Sequence, residues 1–353
     1  MKKQLVVVTG GSGFIAVNII LQLLQQGFAV RTTVRSLRKT ALIKEMLTNG
    51  GLTDFRDLTF AEADLTSDQH WAETLQGATY AIHVASPTPN RVFKDENEMI
   101  QPAVNGVLRV LKAARDAGVK RVVLTSAYGA VFAGHKKRTT PYTEADWSDV
   151  TVKKVHAYQK SKTLAERAAW RFIREEGHGM ELAAVNPVGV MGPVLASDYS
   201  HSNVQIRQLL EGQLRAVPNV DSGYVDVRDV VSLHILAMTR PQAAGERFLA
   251  TTGETLSMLD VANILRTAFP QFAAQLPTKT IPNGVIKVAA LVKPELKMIA
   301  SIVGEYAGTS NAKAVRLLDW HPRSAKVAII ATAQSMLDLG IVKAPDASEE
   351  KVD

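Results

Sequence analysis

A glycine-rich turn between an apolar run and a helical pattern is the feature that most constrains the fold of this chain. Leu5–Thr9 is an apolar run of strand type, and Gly10–Gly13 follows it directly before a helical pattern begins. Glycines at such a turn let backbone amides approach a pyrophosphate at the N-terminus of the helix, where the helix dipole favours negative charge. The pattern predicts a dinucleotide-binding unit, with a plain structural turn as the alternative.

Strand-like and helix-like segments alternate along the first half of the chain. Strand, helix and strand in repetition predict an α/β fold with a doubly wound parallel sheet of Rossmann type. The predicted strands are Leu5–Thr9, Ala29–Val34, Leu58–Ala63, Tyr80–Ala85, Val119–Thr125 and Glu181–Asn186. The main predicted helices begin at Gly13 and cover Met99–Ala117 and Ala157–Glu176.

The alternation stops after Asn186 and Pro187. Met191–Pro193 and the polar stretch Ser197–Asn203 predict a loop that leaves the sheet. Helical segments from Leu256 onward predict a smaller, mostly helical C-terminal lobe on the substrate side. We therefore assign residues 1–188 and 224–255 to the nucleotide-binding domain, residues 189–223 and 256–345 to a substrate lobe, and residues 346–353 to a frayed tail.

Composition excludes several functional classes. The 353 residues include no cysteine, which rules out disulfides, thiolate catalysis and a sulfur-bound metal and suits a cytoplasmic protein. No histidine and carboxylate cluster has the spacing of a metal site, so we expect no metal. The net charge is +7, but the bases are spread along the chain, and the dense cluster His135–Arg138 is interpreted as a solvated loop. We expect no nucleic-acid partner.

No apolar stretch is long enough to cross a bilayer. The best candidate, Ile281–Gly304, is interrupted by lysines such as Lys287, and it is interpreted as an amphipathic helix on a core. We expect no membrane association. The sequence leaves open whether the protein is a monomer or a homodimer.

The second predicted strand is followed by cations. An NAD-specific site has an acidic residue at this position instead. The segment Arg35–Lys39 holds three cations, which suit a 2′-phosphate, so NADPH is the predicted cofactor. Arg35 is the main candidate for this contact and Lys39 an additional one; a solvated basic helix start is the alternative. Asp64 ends the third strand, where it accepts a bond from the adenine amine or caps a helix.

One tyrosine has a lysine four residues on, near the start of a predicted helix. Tyr158 and Lys162 therefore lie one turn apart on one face. A nearby cation stabilises a phenolate and lowers the pKa of a phenol from about 10, which makes Tyr158 a candidate proton donor. A tyrosine and a lysine with this spacing are more often neighbours on a helix surface than an active site. Here the pair follows the fifth strand of a predicted dinucleotide-binding fold, and this position favours a catalytic role.

The chain resembles the extended short-chain dehydrogenase/reductases. The resemblance rests on the glycine turn with Ala16, the Tyr158/Lys162 pair and the segment Ala184–Pro187. It extends over nearly the whole chain and is strongest to the dihydroflavonol reductase branch, in particular to microbial reductases of methylglyoxal and of branched aldehydes or ketones. The segments that carry the branch resemblance are Arg121–Ser126, Ser161–Glu166 and Gly223–Asp229.

The resemblance implies roles for individual residues. It implies that Tyr158 is the acid, that Lys162 orients the nicotinamide ribose and polarises the tyrosine, and that a serine holds the substrate oxygen. Ala127 stands where the family has that serine. Ser126 points the other way in a regular strand, and Thr125 sits lower, so neither is assigned the role. The candidate cofactor contacts are Gly10, Gly11, Ser12, Gly13, Phe14, Ile15, Arg35, Lys39, Asp64, Leu65, Tyr158, Lys162, Val190 and Ser202.

Departures from two plant enzyme groups indicate the substrate. Dihydroflavonol reductases carry an asparagine where this chain has Phe132 and Ala133, and cinnamoyl-CoA reductases carry a tryptophan–tyrosine motif that is absent before Tyr158. A small apolar aldehyde or ketone is the predicted substrate. The candidate pocket walls are Tyr128, Phe132, Val188 and Gly189, with simple core positions as the alternative.

Several alternatives stay open. Asn105 is either the helix asparagine that the superfamily places near the lysine or an ordinary helix residue. His83 and His156 are interpreted as structural. The competing functions are a nucleotide-sugar epimerase or dehydrogenase, against which Arg35 argues, and a redox sensor that holds NADPH without turnover, which Ala127 permits.

Overall fold

The computed structural model describes residues 3–87, 95–197, 200–292, 296, 299–300, 303 and 308–345. Its strands are Leu5–Val8 (β1), Ala29–Val34 (β2), Leu58–Glu62 (β3), Tyr80–His83 (β4), Arg121–Thr125 (β5), Glu181–Pro187 (β6), Gly189–Met191 (β7), Val217–Pro218 (β8), Asp221–Ser222 (β9), Tyr224–Asp226 (β10), Arg247–Ala250 (β11), Leu256–Ser257 (β12) and Thr280–Ile281 (β13). Its α-helices are Phe14–Gln25 (α1), Thr40–Asn49 (α2), Trp71–Leu75 (α3), Asn97–Asp116 (α4), Ala157–Glu176 (α5), His201–Leu210 (α6), Val227–Thr239 (α7), Met258–Ala268 (α8), Asn283–Val292 (α9), Ala312–Leu318 (α10) and Ala325–Asp338 (α11).

A seven-stranded sheet forms the centre of the molecule. Its strand order is β11-β6-β5-β4-β1-β2-β3, and every neighbouring pair is parallel. Successive residues of a strand face opposite sides: Val6 and Val8 belong to one buried cluster, and Val7 belongs to another. Helices therefore cover both faces, which confirms the predicted doubly wound α/β fold.

The C-terminal part adds helices and three small strand pairs. β7 pairs with β10, β8 with β13 and β9 with β12. These pairs stand beside a mostly helical region that contains α8, α9 and α11. The proposed division into two lobes stays a prediction, and the predicted tail 346–353 lies outside the described residues.

The segment after β7 differs from the predicted loop. A loop was expected to continue to Asn203, but α6 already begins at His201. Ser200 has the extended backbone of an N-cap residue, and the amide of Asn203 donates to its carbonyl oxygen over 3.0 Å. The polar composition of this stretch thus reflects a helix start rather than a longer loop.

No helix among the described residues is long and apolar enough to cross a membrane.

Candidate active site

The glycine turn between β1 and α1 is closed by backbone bonds to the neighbouring strand. Gly10 has a φ of +74°, and its amide donates to the hydroxyl of Thr33 over 2.9 Å. A Cβ on Gly11 would lie 2.3 Å from the hydroxyl oxygen of Thr32. Gly13 is the N-cap residue of α1 and makes no side-chain cap bond at this helix start. The turn therefore favours glycine at both positions, and its contact with a pyrophosphate stays a prediction.

Thr9 links the glycine turn to the end of β4. Its hydroxyl oxygen accepts bonds from the amides of Val84 and Ala85, each over 3.0 Å, and lies 2.8 Å from Nδ1 of His83. Burial, with a smaller contribution from the charge of Lys162, lowers the pKa of His83 to about 3. His83 is therefore a neutral ring bonded within the fold, in agreement with the structural role predicted for it.

The cations that are expected to bind the 2′-phosphate follow β2 in the sequence. Arg35 is exposed and lies directly after that strand, while Lys39 is half-buried at the start of α2. Asp64 accepts bonds from the amide and the hydroxyl of Thr66, each over 2.7 Å, and these bonds lower its pKa, with smaller contributions from Arg35 and Arg109. These bonds close a turn, so Asp64 does not cap a helix, and its contact with the adenine amine stays a prediction.

Two further predicted cofactor contacts pack within the fold, and a third lies in a helix start. Leu65 packs against α4, since a Cβ on Gly106 would lie 3.0 Å from its Cβ atom. Val190 is buried in β7 and pairs with Val225 of β10. Ser202 is half-buried in the first turn of α6. Contact of these residues with a cofactor stays a prediction.

The Tyr158/Lys162 pair lies in the first turns of α5, as the spacing predicted. His156 is the N-cap residue, and its amide donates to the side chain of Gln159 over 3.1 Å. Nζ of Lys162 lies 3.5 Å from the carbonyl oxygen of Thr125, the last residue of β5. Burial lowers the pKa of Lys162 to about 8, although the charge of Glu166 acts in the opposite direction. Burial thus moves the pKa of Lys162 toward neutral pH.

The pKa of Tyr158 moves opposite to the expected direction. A cation was expected to lower it, but burial raises it above its ordinary value of 10. The ring packs near the 3-10 turn Tyr128–Ala130, where a Cβ on Gly129 would lie 3.8 Å from Cε1 of Tyr158. Desolvation of the phenolate thus outweighs any attraction to Lys162 in this arrangement.

Ala127 occupies the position that the family resemblance gives to a serine. It has extended backbone and is 8% exposed. The hydroxyl of Ser126 donates to a carboxylate oxygen of Glu166 over 2.6 Å, and the hydroxyl of Thr125 lies 2.8 Å from Nε2 of His234. Both neighbouring hydroxyls are therefore engaged within the fold, which supports leaving them without a catalytic role.

Asn105 does not share the buried environment of Lys162. It is exposed and lines a cleft between α3 and α4 together with Asp116, on the outer surface. Its neighbours Ala103 and Gly106 are buried instead. The helical rotation of α4 therefore turns Asn105 away from the sheet, and the interpretation as an ordinary helix residue holds.

An aromatic cluster follows Ala127, and two of its members were predicted as pocket walls. The rings of Tyr128 and Phe132 stack with centroids 4.5 Å apart, and Tyr142 meets Tyr128 edge-on at 6.1 Å. The Arg138 guanidinium lies 4.1 Å from the centroid of Tyr142 and pairs with Asp146 over 2.8 Å. Tyr142 was not among the predicted pocket walls. Arg138 was interpreted as part of a solvated loop, but its guanidinium pairs with Asp146 within the fold.

Comparison with known proteins gives consistent matches. The model of the NAD dependent epimerase/dehydratase family matches residues 6–250. Cinnamoyl-CoA reductase 1 of Petunia hybrida is 36% identical over 283 residues, which cover 78% of this chain and 80% of that protein. A Candida albicans protein with the provisional name NADPH-dependent methylglyoxal reductase is 33% identical over 292 residues, which cover 77% of this chain and 85% of that protein.

A solved structure matches almost the whole chain. The yeast methylglyoxal/isovaleraldehyde reductase complexed with NADPH superposes with a TM-score of 0.80 at 28% sequence identity. The match covers 96% of this chain and 100% of the yeast chain.

Proposed function

Because the chain belongs to the NAD dependent epimerase/dehydratase family, the extended short-chain dehydrogenase/reductases, we propose that it is an NADPH-dependent reductase of small apolar aldehydes or ketones. The observation that carries the proposal is the position of Lys162. Its Nζ reaches the end of β5, while the glycine turn follows the end of β1. The carboxyl ends of parallel strands lie at one edge of a sheet, so Lys162 and the predicted pyrophosphate turn share that edge.

The choice of NADPH rests on charge. Arg35 is exposed directly after β2, and no acid stands at that position. A guanidinium there suits a 2′-phosphate, which NADH lacks. The yeast neighbour was solved with NADPH, and the Candida relative is named as NADPH-dependent.

The proposed chemistry uses two side chains of α5. The bound cofactor supplies the hydride that reduces the carbonyl carbon. Tyr158 donates its hydroxyl proton to the carbonyl oxygen, which yields the alcohol, and protonated Lys162 stabilises the resulting phenolate and holds the ribose. A phenol whose pKa burial raises needs this cation to donate at neutral pH.

The proposed substrate class follows from the aromatic cluster next to Ala127. Tyr128 and Phe132 present stacked rings rather than amide or charged groups. Such walls suit a short aliphatic carbonyl, in line with the methylglyoxal and isovaleraldehyde in the name of the yeast neighbour. The absence of the tryptophan–tyrosine motif before Tyr158 argues against an aromatic thioester.

A second candidate activity is reduction of an aromatic acyl-CoA thioester. The observation in its favour is the 36% identity to the petunia cinnamoyl-CoA reductase, which slightly exceeds the 33% identity to the Candida protein. One assay separates the two candidates. Purified protein is mixed with NADPH and, in separate reactions, with methylglyoxal, isovaleraldehyde, small ketones or cinnamoyl-CoA, and the loss of NADPH absorbance is followed.

We expect the small carbonyls to be reduced and NADH to be a poor donor. Faster turnover of cinnamoyl-CoA would replace the proposed substrate class with the thioester. Tight NADPH binding without any turnover would favour the non-catalytic sensor.

A further inference from the structure

The carboxylate of Glu166 is fully buried one helical turn after Lys162. It accepts hydrogen bonds from Ser126 over 2.6 Å, from the side-chain amide of Asn186 over 2.8 Å and from the indole of Trp170 over 3.2 Å. Nε and an Nη of Arg247 also donate to it. Five donors thus meet one carboxylate, far more than a simple surface pair provides.

Two of these donors, Ser126 and Asn186, lie at strand ends that border the proposed site. Ser126 follows β5, and Asn186 lies near the end of β6. The side-chain amide of Asn186 also donates to the carbonyl oxygen of Ala127 over 3.2 Å. Glu166 therefore joins the helix that carries Tyr158 to the two strands that end beside it.

Arg247 holds Glu166 from the other side. Its guanidinium lies 3.6 Å from the ring centroid of Trp147 and donates to the carbonyl oxygens of Glu144 and Asp146 over 2.8 and 3.0 Å. Its side chain is 8% exposed. The ion pair is therefore held by several contacts and largely shielded from solvent.

Glu166 and Lys162 lie one turn apart on α5, and their side chains contact the adjacent residues Ser126 and Thr125. The charge of Glu166 therefore also acts on Lys162. Burial lowers the pKa of Lys162 to about 8, and the carboxylate raises it against that effect. His83 and His234 are neutral, since burial lowers their pKa values to about 3 and about 4. The other titratable or charged groups in this region come from several elements. Tyr158, Lys160 and Glu166 lie on α5, Glu96 pairs with Lys160 just before α4, and His83, His234 and Arg247 lie in β4, α7 and β11.

We propose that Glu166 is a positioning residue: anchored by Arg247, its carboxylate keeps Lys162 protonated and holds the ends of β5 and β6 against the catalytic helix. The catalytic meaning of this inference rests on the proposed function. The charge state of Lys162, however, is measurable without turnover.

The test variant is Glu166→Gln. Lysines labelled with ¹³C at Cε are titrated by NMR, and the Lys162 signal is assigned by its loss in Lys162→Arg. An opposite charge nearby is worth about one pKa unit, so we expect Lys162 to titrate about one unit lower in the variant. At pH 7.5 this leaves roughly threefold less protonated lysine, and the alkaline limb of kcat should move down equally. An unchanged titration of Lys162 in the folded variant would overturn the inference.

The chain contains a matched control at the opposite edge of the same two strands. Arg121 begins β5 and Glu181 begins β6, and they pair over 2.8 Å with Arg121 buried. Glu181→Gln also deprives a buried arginine of its carboxylate, so it should lower stability. It should leave both the Lys162 titration and the pH profile of kcat unchanged. A shift of similar size in this control would show that loss of any buried pair moves Lys162, and would overturn a specific role for Glu166.

A double variant covers the case in which Glu166→Gln does not fold. Glu166→Gln/Arg247→Met removes both buried charges, which relieves the unpaired arginine. Lys162 should still titrate below its wild-type value because the acid that acts on it is gone; a wild-type titration would overturn the inference. If the wild-type protein reduces no carbonyl, the proposed function fails, while the NMR titration still decides the effect of Glu166 on Lys162.

Discussion

The hydroxyl of Thr125 donates a hydrogen bond to Nε2 of His234, with 2.8 Å between the two atoms. Nδ1 of the same ring lies 2.7 Å from the carbonyl oxygen of Val230, which can only accept, so Nδ1 carries the proton and Nε2 is the acceptor. Burial lowers the pKa of His234 to about 4. The imidazole of His234 is therefore neutral, has one defined tautomer and lies in the core next to the end of β5.

Acid should destabilise the protein through this ring. An unfolded histidine binds a proton below about pH 6.5, whereas His234 in the fold does so only near pH 4, so proton binding favours the unfolded state in that window. His234→Gln keeps one donor and one acceptor without titrating. As pH falls from 6.5 to 4, the free energy of unfolding of the wild type should drop by roughly 3 kcal/mol relative to the variant. Urea unfolding at several pH values measures this difference; parallel curves would contradict it.

Ala127→Ser should increase the rate of carbonyl reduction. The hydroxyls of Ser126 and Thr125 are engaged with Glu166 and His234, so a serine at position 127 would add a donor where negative charge develops. We expect about tenfold higher kcat, which corresponds to about 1.4 kcal/mol, with little change in KM.

The measurement compares kcat of both proteins on one aldehyde at saturating NADPH. NADPH affinity and thermal stability serve as controls for an intact fold. A flat or lower kcat would mean that an ordered water or a backbone group already fills the role, and that Ala127 carries no mechanistic weight.

Arg35→Asp should abolish the preference for NADPH over NADH. A charge-assisted contact to a phosphate contributes about 1.5 to 3 kcal/mol, so NADPH affinity should fall at least about tenfold. Arg38→Asp is the control, because Arg38 is also exposed and the substitution makes the same change of charge three residues along. Fluorescence titration of both cofactors checks this. Equal affinity of the wild type for both would show that Arg35 is not the 2′-phosphate contact.

Tyr158→Phe should remove turnover and leave NADPH affinity nearly unchanged, because only the acidic hydroxyl is lost and the ring still packs near Gly129. Lys162→Ala should reduce both turnover and NADPH affinity, since the lysine is predicted to contact the ribose as well. Steady-state rates and cofactor titrations on the same preparations separate the two effects. Turnover that survives in the phenylalanine variant would place the proton donor elsewhere.

Local pattern predicted much of the sheet and the main parts of the candidate site. The strand Ala29–Val34 and the helix Ala157–Glu176 have the predicted bounds, because apolar runs and helical periodicity are properties of short segments. The glycine turn and the four-residue spacing of Tyr158 and Lys162 are likewise local, and both are found where the sequence placed them.

The tertiary structure alone determined which side chains bond to one another and how far each is removed from solvent. Thr125 meets His234 across 109 residues of chain, and Arg247 meets Glu166 across 81, and no local spacing indicates either contact. The outward position of Asn105 depends on how α4 packs, and the raised pKa of Tyr158 depends on how much solvent the fold removes from its ring. Sequence thus determined which chemical groups the site contains, whereas packing determined which of them are engaged, because hydrogen bonding and desolvation depend on neighbours that only the folded chain brings together.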